Sequence, residues 1–377
     1  MARRPIILNG KFLSAPSTGV HRVAGELIVH IDRLLSKDHR RDEERWSLFC
    51  PKDAYQPLPL ETIRRRRAGF STWQAWEQLE LPGLVRGGVL VSLCNISPLA
   101  VRGGVTMIHD AQVFLTPDSY SAPFLAWYRF VLPRIGAGAA QIITVSNYSR
   151  DRLIEFGVAS PEKISVVHNG IDHFGGVIAD ETILTRLGLR PGGFVVATAS
   201  TKKHKNLAVL FEAFRSPALG EITLVVVGPD GAAEFVATGV EPPAGVVFSG
   251  WASDAELRAL YESAICLTFP STTEGFGLPP LEAMSLGCPA VVAPCGALPE
   301  VCGDAVLYAG PHDPDAWREA ILHLAEDGDA RSRLQQAGRA RAALYRWEDS
   351  ARKLLGVIEA VAERPSRGPR PARGETA

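Results

Sequence analysis

The sequence predicts an α/β protein with two doubly wound domains, each a parallel sheet covered by helices on both faces. The chain has 377 residues, which is too long for one ordinary core and suits two domains of roughly 150–200 residues. Short apolar runs alternate with amphipathic helical patterns, and the runs are continuously apolar, as in strands buried on both faces. The 35 glycines and 27 prolines suit many short connections between strands and helices.

The first domain is predicted over residues 1–175, where apolar runs and helical patterns alternate as βαβ units require. The strands are expected at Pro5–Leu8, Trp46–Cys50, Val89–Leu93, Val105–Ile108, Gln141–Val145 and Ile164–Val167. The helices between them are expected at Val20–Leu35, Phe124–Ile135 and Ser149–Phe156.

The second domain is predicted over residues 176–346, after Gly175-Gly176. Its strands are expected at Phe194–Thr198, Thr223–Val227, Val246–Phe248, Ile265–Phe269, Ala290–Ala293 and Ala305–Tyr308. Its helices are expected at Asn206–Phe214, Asp254–Ser263, Pro280–Leu286, Asp313–Glu326 and Ala330–Leu344. Two such domains create a cleft at the carboxyl ends of their strands, which is where ligands bind in this architecture.

The C-terminal end is predicted in two parts. Residues 347–362 should form a helix, because Glu348 and Asp349 suit its first turn and apolar residues at Leu354, Leu355, Ile358 and Val361 share one face. Residues 363–377 are rich in Pro, Arg and Gly and have no apolar periodicity, so we expect a disordered tail.

Composition excludes several classes of protein. The formal net charge of −1 argues against a dominantly basic nucleic-acid binder. The six cysteines form no CxxC pair and share no spacing with histidines, so a zinc site is not expected. We expect the protein in a reducing, cytoplasmic compartment. The apolar run at Ile6–Leu8 is too short for a signal peptide. The segment Pro5–Val20 lacks GxGxxG, which argues against a dinucleotide-binding oxidoreductase.

A run of four arginines, Arg64–Arg67, is followed closely by Trp73 and Trp76. Such a charge run is most often a solvated loop or helix face. The alternative is peripheral contact with anionic lipid headgroups, or with a phosphorylated acceptor, on the inner face of the cytoplasmic membrane.

The most informative segment is Ser271–Met284, which follows the apolar run Ile265–Phe269. Gly275 and Gly277 allow the backbone to approach a ligand, and a helix opening at Pro279 or Pro280 supplies free N–H groups that suit a diphosphate. Glu274 precedes this helix and Glu282 is expected in its first turn, about 12 Å away along a helix. The spacing suits two hydroxyl-rich ends of one extended ligand, although Glu282 alone is also explained as a partner of the helix dipole.

His109 directly follows the run Val105–Ile108, so it should emerge at the carboxyl end of a strand and face the cleft. The alternative is a structural histidine bonded to a neighbouring loop. Gly19 lies in a loop rich in Pro, Ser and Thr. It is either part of a ligand-binding loop or an ordinary turn glycine.

The pair Glu274 and Glu282, with seven residues between, resembles the E-x7-E motif of the retaining glycosyltransferases of family 4, which have the GT-B fold. Five other segments resemble the same family: Ser17–Arg22 its N-terminal glycine loop, His109-Asp110 its cleft histidine, His168–Asp172 its Asn-Gly-Ile-Asp segment, Ala199–Leu207 its phosphate-binding turn, and Val247–Gly250 its base-contacting strand end. The resemblance covers nearly the whole chain to about Ala362 and is strongest over residues 195–305.

The resemblance implies catalytic roles for His109, Glu274 and Lys205. His109 would orient the donor sugar, Glu274 would hold the hydroxyls of that sugar, and Lys205 would neutralise the diphosphate as charge develops on it. Glu282 would accept hydrogen bonds from the ribose hydroxyls. The remaining donor-binding positions would be Gly19, Ser200, Lys202, Phe248, Gly250, Gly275, Phe276, Gly277 and Leu278. Ser200 stands where many relatives have Arg, so either Lys202 or Lys203 would supply that charge or the diphosphate would be held less tightly.

The resemblance also implies the reaction and the partners. A sugar would move with retention from a nucleotide-diphosphate sugar, with GDP-mannose favoured, to a saccharide or lipid-linked saccharide in bacterial-type polysaccharide or glycoconjugate assembly. No cofactor and no metal are expected, because Asp313-Pro-Asp315 and Asp327-Gly-Asp329 are interpreted as helix starts despite their DxD form. The final helix would cross back to the first domain. The alternative function is that of a sugar-nucleotide 2-epimerase-like GT-B enzyme, which would bind the same donor without transfer.

Overall fold

The computed structural model describes residues 4–16, 18–37, 45–198 and 200–364. Ser17 and Ala199, and the expected disordered tail beyond residue 364, lie outside the described residues. No helix within the described ranges is both long and apolar enough to cross a membrane.

The strands form two sheets. Within the described residues the first has seven strands in the order β3-β2-β1-β4-β5-β6-β7, and the second has six in the order β10-β9-β8-β11-β12-β13. The recorded pairings in both sheets are parallel, including β1 with β2 and β4, and β8 with β9 and β11. The strands are β1 Ile6–Asn9, β2 Trp46–Cys50, β3 Arg64–Arg67, β4 Val89–Ser92, β5 Val105–Met107, β6 Gln141–Thr144, β7 Ile164–Val166, β8 Phe194–Thr198, β9 Thr223–Val227, β10 Val247–Gly250, β11 Leu267–Phe269, β12 Ala290–Val292 and β13 Leu307–Tyr308.

The helices lie between these strands along the chain, except for the last three, which follow β13. They are α1 Gly19–Lys37, α2 Trp73–Ala75, α3 Leu81–Leu84, α4 Gln112–Leu115, α5 Ala122–Gly138, α6 Asn147–Glu155, α7 Thr182–Arg186, α8 Leu207–Phe214, α9 Ala232–Ala237, α10 Asp254–Ser263, α11 Leu278–Ser285, α12 Leu298–Cys302, α13 Pro314–Glu326, α14 Gly328–Ala342 and α15 Trp347–Glu363. Two parallel sheets with intervening helices confirm the predicted doubly wound α/β class.

The expectation that Arg64–Arg67 forms a loop or a helix face is wrong. These residues form β3, which pairs in parallel with β2 in the register Ser47 to Arg64 and stands at the edge of the first sheet. The run has no apolar residue, so its sequence carries no strand signal, and the partner strand supplies the hydrogen bonds that make it one. Trp76 is fully buried and donates its indole N–H to the Ala68 carbonyl, so it is not available for the membrane contact that the sequence offered as an alternative.

Contacts divide the chain into two compact units. The first contains residues 1–107, 135–142 and 351–377, and the second contains residues 108–134 and 143–350. Residues 108–134 and 143–175 therefore group with the second unit, because the loops after β5 and β6 contact the turn after β11, as Gln112 does with Thr273. The domain boundaries drawn at residues 175 and 346 stay predictions.

Helix α15 begins at Trp347, and its described residues from Ala351 onward belong to the first unit. Leu354, Ile358 and Val361 are fully buried, whereas Leu355 is only partly so. Three of the four residues predicted to form the apolar face of this helix are therefore fully buried.

We expect Leu354→Ala to lower the free energy of unfolding by about 2–5 kcal/mol, because Leu354 is fully buried and its removal leaves a cavity. The control is Gly356→Ala on the same helix, where a Cβ meets nothing within 4 Å. This change should raise stability by about 0.5–1 kcal/mol through helix propensity. Urea unfolding followed by circular dichroism measures both, and equal midpoints for the two variants would show that α15 is not packed.

Candidate active site

The turn after β11 is shaped by two glycines. Gly277 has φ +98°, in the left-handed region, and a Cβ there would lie 2.6 Å from Leu298 Cδ2. Helix α11 begins directly after it at Leu278, before both predicted starts, Pro279 and Pro280, which lie in its first turn. Glu282 consequently lies in the second turn of α11, so its predicted place in the first turn is wrong.

Gly275 has no room for a side chain. A Cβ on this residue would lie 2.8 Å from Asp110 Cβ and 2.9 Å from the His109 carbonyl oxygen. The backbone of residue 275 therefore contacts the chain directly after β5. This contact brings His109, which is 5% exposed, to the turn that contains Glu274.

Hydroxyl and amide side chains hold the same turn in place. Ser146 Oγ donates to the Gly275 carbonyl at 2.6 Å, and Ser149 Oγ donates to it at 3.1 Å. Gln112 Nε2 donates to the Thr273 carbonyl at 3.2 Å, and the Ala297 N–H donates to the Glu274 carbonyl at 3.0 Å. Sequence reasoning missed Gln112, Ser146 and Ser149, although polar residues directly after an apolar strand were the available signal.

Glu274 and Lys205 form an ion pair. Lys205 Nζ lies 2.7 Å from Glu274 Oε1, and both side chains are largely buried. Lys205 belongs to the turn after β8, and its Nζ also lies 5.4 Å from the centroid of the Phe269 ring. The two predicted catalytic residues from distant parts of the sequence are thus placed together.

The turn after β8 is anchored by buried His204. Its Nδ1 lies 3.0 Å from Ser119 Oγ, and its carbonyl accepts the Thr272 N–H at 2.8 Å. Burial, with help from the charge of Lys205, lowers the pKa of His204 from 6.5 to about 4. His204 is therefore a neutral hydrogen-bonding partner between two loops of the site at physiological pH.

Asp110 lies beside Glu274 in this arrangement. Its Oδ1 accepts the Gln112 N–H at 3.0 Å. Burial raises the pKa of the Asp110 carboxyl above its ordinary value, the Gln112 bond opposes this, and the charge of Glu274 raises it further. Two carboxyl groups and the ammonium groups of Lys205 and Lys202 thus share one region, with Lys202 Nζ 5.3 Å from the centroid of the Tyr120 ring.

The other predicted donor-binding residues lie in different surroundings. Ser200 is partly buried on the turn after β8, next to Thr201, whose N–H donates to Asp230 Oδ2 at 2.7 Å. Phe248 is partly buried and packs its ring against Phe211 and Phe235 at the border of the core of the second sheet.

Gly250 and Gly19 lie at the end of a strand and at the start of a helix. Gly250, at the end of β10, has φ +71° with open space where a Cβ would stand. Gly19 is the first residue of α1 and belongs to the first unit, so the expected glycine loop is the first turn of a helix. The Arg22 N–H donates to the Thr18 carbonyl at that start.

Phe276, just before α11, and Glu282, on that helix, are both buried. The Phe276 ring lies against His168 and Tyr345, with centroids 6.1 and 5.6 Å away. Glu282 Oε1 lies 3.2 Å from His173 Nε2. His173 was not singled out from the sequence, where it stands next to the Asn-Gly-Ile-Asp segment without any signal of its own.

The two DxD segments are helix starts, as predicted. Asp313 accepts the Ala316 N–H at 3.1 Å at the start of α13, and Asp327 accepts the Ala330 N–H at 2.8 Å at the start of α14. In the part of the chain that the structure describes, no group of three His, Cys, Asp or Glu side chains is arranged to hold a metal ion.

The site combines a glycine turn and a helix start with the lysine side chains of residues 202 and 205 and the carboxyl groups of Asp110 and Glu274. The cations and free N–H groups suit phosphate oxygens, and the carboxylates suit hydroxyl groups. The arrangement is chemically fitted to a ligand that is anionic in one part and hydroxyl-rich in another.

Two family models match the chain. Residues 190–341 match "Glycosyl transferases group 1" and residues 95–173 match "Glycosyltransferase Family 4". The two matched ranges contain His109, Lys205, Glu274 and Glu282. The segments that resembled this family in the sequence thus lie largely within them.

Curated relatives and a solved structure are similar to the chain. O-antigen chain mannosyltransferase RfbU from Salmonella typhimurium is 27% identical over 73% of this chain and 75% of its own length. O-antigen chain mannosyltransferase B from Escherichia coli is 28% identical over 81% of each chain. The crystal structure of Anabaena Alr3699/HepE in complex with UDP-glucose has a TM-score of 0.70 at 17% identity, covering 94% of this chain and 99% of that one. This last likeness is one of fold.

The low pKa of His204 predicts how stability depends on pH. Between pH 6.5 and about 4 the unfolded chain binds a proton at His204 that the folded chain does not, so acidification through this range lowers the stability of the fold. Below about pH 4 this contribution is lost in full. We expect His204→Gln, which keeps a hydrogen-bonding group, to lose less stability than the unaltered protein between pH 7 and 5 in urea titrations. Identical losses would contradict the buried, neutral state of this histidine.

Proposed function

The chain is a GT-B glycosyltransferase of the family 4 type, and on this premise we propose that it transfers a hexose, with retention, from a nucleoside-diphosphate sugar to a saccharide acceptor. The observation that carries the proposal is the Lys205–Glu274 ion pair at the glycine turn before α11. It sets a cation for the diphosphate next to a carboxylate for sugar hydroxyls. An unliganded ion pair of this kind also keeps both charges compensated until the donor arrives.

The proposed chemistry needs no carboxylate nucleophile. The bond between the anomeric carbon and the diphosphate oxygen breaks, and the acceptor oxygen forms its bond to the same carbon on the same face. The acceptor proton passes to the departing phosphate oxygen. The protein then acts through position and charge: Lys205 and Lys202 stabilise the negative charge on the leaving diphosphate, and Glu274 and His109 orient the sugar.

The remaining donor contacts follow from the same arrangement. Free N–H groups of Gly277 and Leu278 at the start of α11 suit phosphate oxygens. Glu282, farther along the same helix, would accept hydrogen bonds from the ribose hydroxyls. Ser200, Gly250 and the backbone of Phe248 lie at the ends of β8 and β10, where the base and diphosphate would be bound.

We propose GDP-mannose as the donor and a growing, lipid-linked polysaccharide as the acceptor. Support comes from the names of the relatives in Salmonella typhimurium and Escherichia coli, both O-antigen chain mannosyltransferases that this chain matches over about three quarters or more of their length. A lipid-linked acceptor would place the enzyme at the cytoplasmic face of a membrane.

The first unit has a surface suited to that location. Arg64 and Arg66 on the edge strand β3 are exposed, and they are followed by Phe70 and Trp73, which are 92% and 57% exposed. Cationic and aromatic side chains together favour an anionic membrane surface. The arginines also discourage another strand from pairing with this edge, which is a structural reason for the same charges.

The direct test is transfer from radiolabelled GDP-mannose to lipid-linked oligosaccharide, with UDP-glucose as the comparison donor. We expect mannose transfer with retained anomeric configuration, and we expect it to persist in EDTA because Lys205 and Lys202 supply the positive charge. Strict dependence on added magnesium or manganese would contradict the metal-free mechanism. An isomerised sugar nucleotide without transfer would favour the 2-epimerase alternative instead.

The site predicts that removing Lys205 slows the reaction, whereas removing a lysine outside the site does not. Lys205→Ala should lower kcat by about 10²–10³, the usual loss when one group that stabilises developing charge is removed. Glu274→Gln should lower kcat/KM by a similar factor because the carboxylate no longer holds the sugar. Lys353→Ala is the control, since Lys353 is exposed on α15 and has no role in the proposed site, and it should stay within about threefold of the unaltered enzyme. An effect of Lys205→Ala on KM alone would mean that this lysine binds ground and transition states equally.

Membrane contact is tested with vesicles. Changing Arg64 and Arg66 together to Gln should weaken binding to phosphatidylglycerol vesicles about 30-fold, at about 1 kcal/mol per arginine. Binding to phosphatidylcholine should be weak throughout. The control changes Arg190 and Arg333, which are exposed in the second unit, to Gln as well. This double variant should bind the vesicles as the unaltered protein does. Equal binding by both double variants would remove β3 from the membrane surface.

A further inference from the structure

Glu282 needs a partner because its side chain is only 9% exposed. A carboxylate without compensation in such a place would be costly. His173 is the one side chain among the described residues that lies within ion-pair distance, with Nε2 at 3.2 Å from Glu282 Oε1. The His173 side chain is itself 3% exposed, so the contact is shielded from water.

Trp347 fixes the state of the His173 ring. Its indole Nε1–H lies 3.3 Å from His173 Nδ1. An indole nitrogen can only donate a hydrogen bond, so Nδ1 must be the unprotonated acceptor and the ring proton must be on Nε2. The proton on His173 is therefore on the side that faces Glu282.

The backbone around both residues is held as well. The Trp347 N–H donates to Asp172 Oδ1 at 2.8 Å. A Cβ on Gly170 would lie 2.2 Å from the Trp347 backbone nitrogen, so the two chain segments are in direct contact. His173 thus has little freedom to turn away from the carboxylate.

The contact between His173 and Glu282 is not a hydrogen bond. The 3.2 Å approach is an ion-pair distance, but Nε2–H is not aligned with an acceptor as a hydrogen bond requires. The attraction is therefore mainly electrostatic, and the lone pairs of Glu282 are not saturated by it. A hydroxyl group arriving at Glu282 can still be accepted.

We infer that His173, held by Trp347, is a positioning residue that orients Glu282 toward the ribose hydroxyls of the bound nucleotide. The inference rests on the proposed function, in which Glu282 binds that ribose. His173 does not contact the ligand itself. Its effect on binding should therefore depend on whether the ribose has its hydroxyl groups.

The experiment measures binding of GDP and of 2′,3′-dideoxy-GDP by calorimetry, with UDP and its dideoxy form run in parallel. His173→Phe removes the Nε2–H and should weaken GDP binding about tenfold, the size expected for a hydrogen bond or contact to a charged group. Binding of dideoxy-GDP should change less than twofold. His173→Gln, whose amide can donate to Glu282, should recover part of the loss.

Trp347→Phe keeps an aromatic ring but removes the N–H that fixes the tautomer, together with part of a fully buried side chain. It should weaken GDP binding by about threefold with the same dependence on the ribose hydroxyls. His323→Gln is the control, because His323 is exposed on α13 and should have no effect. Thermal unfolding of each variant without ligand confirms that it is folded.

The outcomes separate this inference from the proposed function. An equal loss for GDP and dideoxy-GDP in His173→Phe would show a general structural role and overturn the inference. Unchanged GDP binding in both His173→Phe and Trp347→Phe would overturn it too. If the unaltered protein binds neither GDP nor UDP, the proposed function fails and the inference fails with it.

Discussion

Residue 275 is packed against the backbone of residues 109 and 110 so closely that only a glycine fits there. This contact fixes where the turn after β11 lies, and the hydroxyls of Ser146 and Ser149 hold its carbonyl in the same place. Because Glu274 is the preceding residue, its carboxylate is set by the same packing. The start of α11 follows from it as well, through the left-handed conformation of Gly277.

Electrostatic balance then governs the site. Burial makes an isolated charge expensive, so Glu274 is paired with the ammonium group of Lys205. The Glu282 carboxylate lies 3.2 Å from Nε2 of the His173 ring. The first pair joins turns after β8 and β11, which are neighbouring strands in the second sheet. The second pair joins α11 to the segment after β7 and, through Trp347, to the start of α15. Each carboxylate proposed to bind a hydroxyl-rich part of the ligand is thus held by a partner from elsewhere in the chain.

The sequence alone determined the alternation of strands and helices, because continuous apolar runs and amphipathic periods are local properties. The strands Trp46–Cys50, Phe194–Thr198 and Thr223–Val227 have the bounds that their apolar runs predict. It also determined that Glu274, Gly275 and Gly277 lie in a turn between a strand and a helix, since glycines after a strand and prolines in the first turn of a helix are local signals of that conformation.

Only the tertiary structure decided what depends on neighbours distant in the chain. Arg64–Arg67 became a strand because β2 offered an edge to pair with, which no pattern within four arginines could indicate. Phe248 packs against Phe211 and Phe235, which are distant in the sequence. His173 lies beside Glu282 because the segment after β7 packs against α11. Pairings of this kind are set by how sheets and helices stack, and stacking is not a property of any local segment.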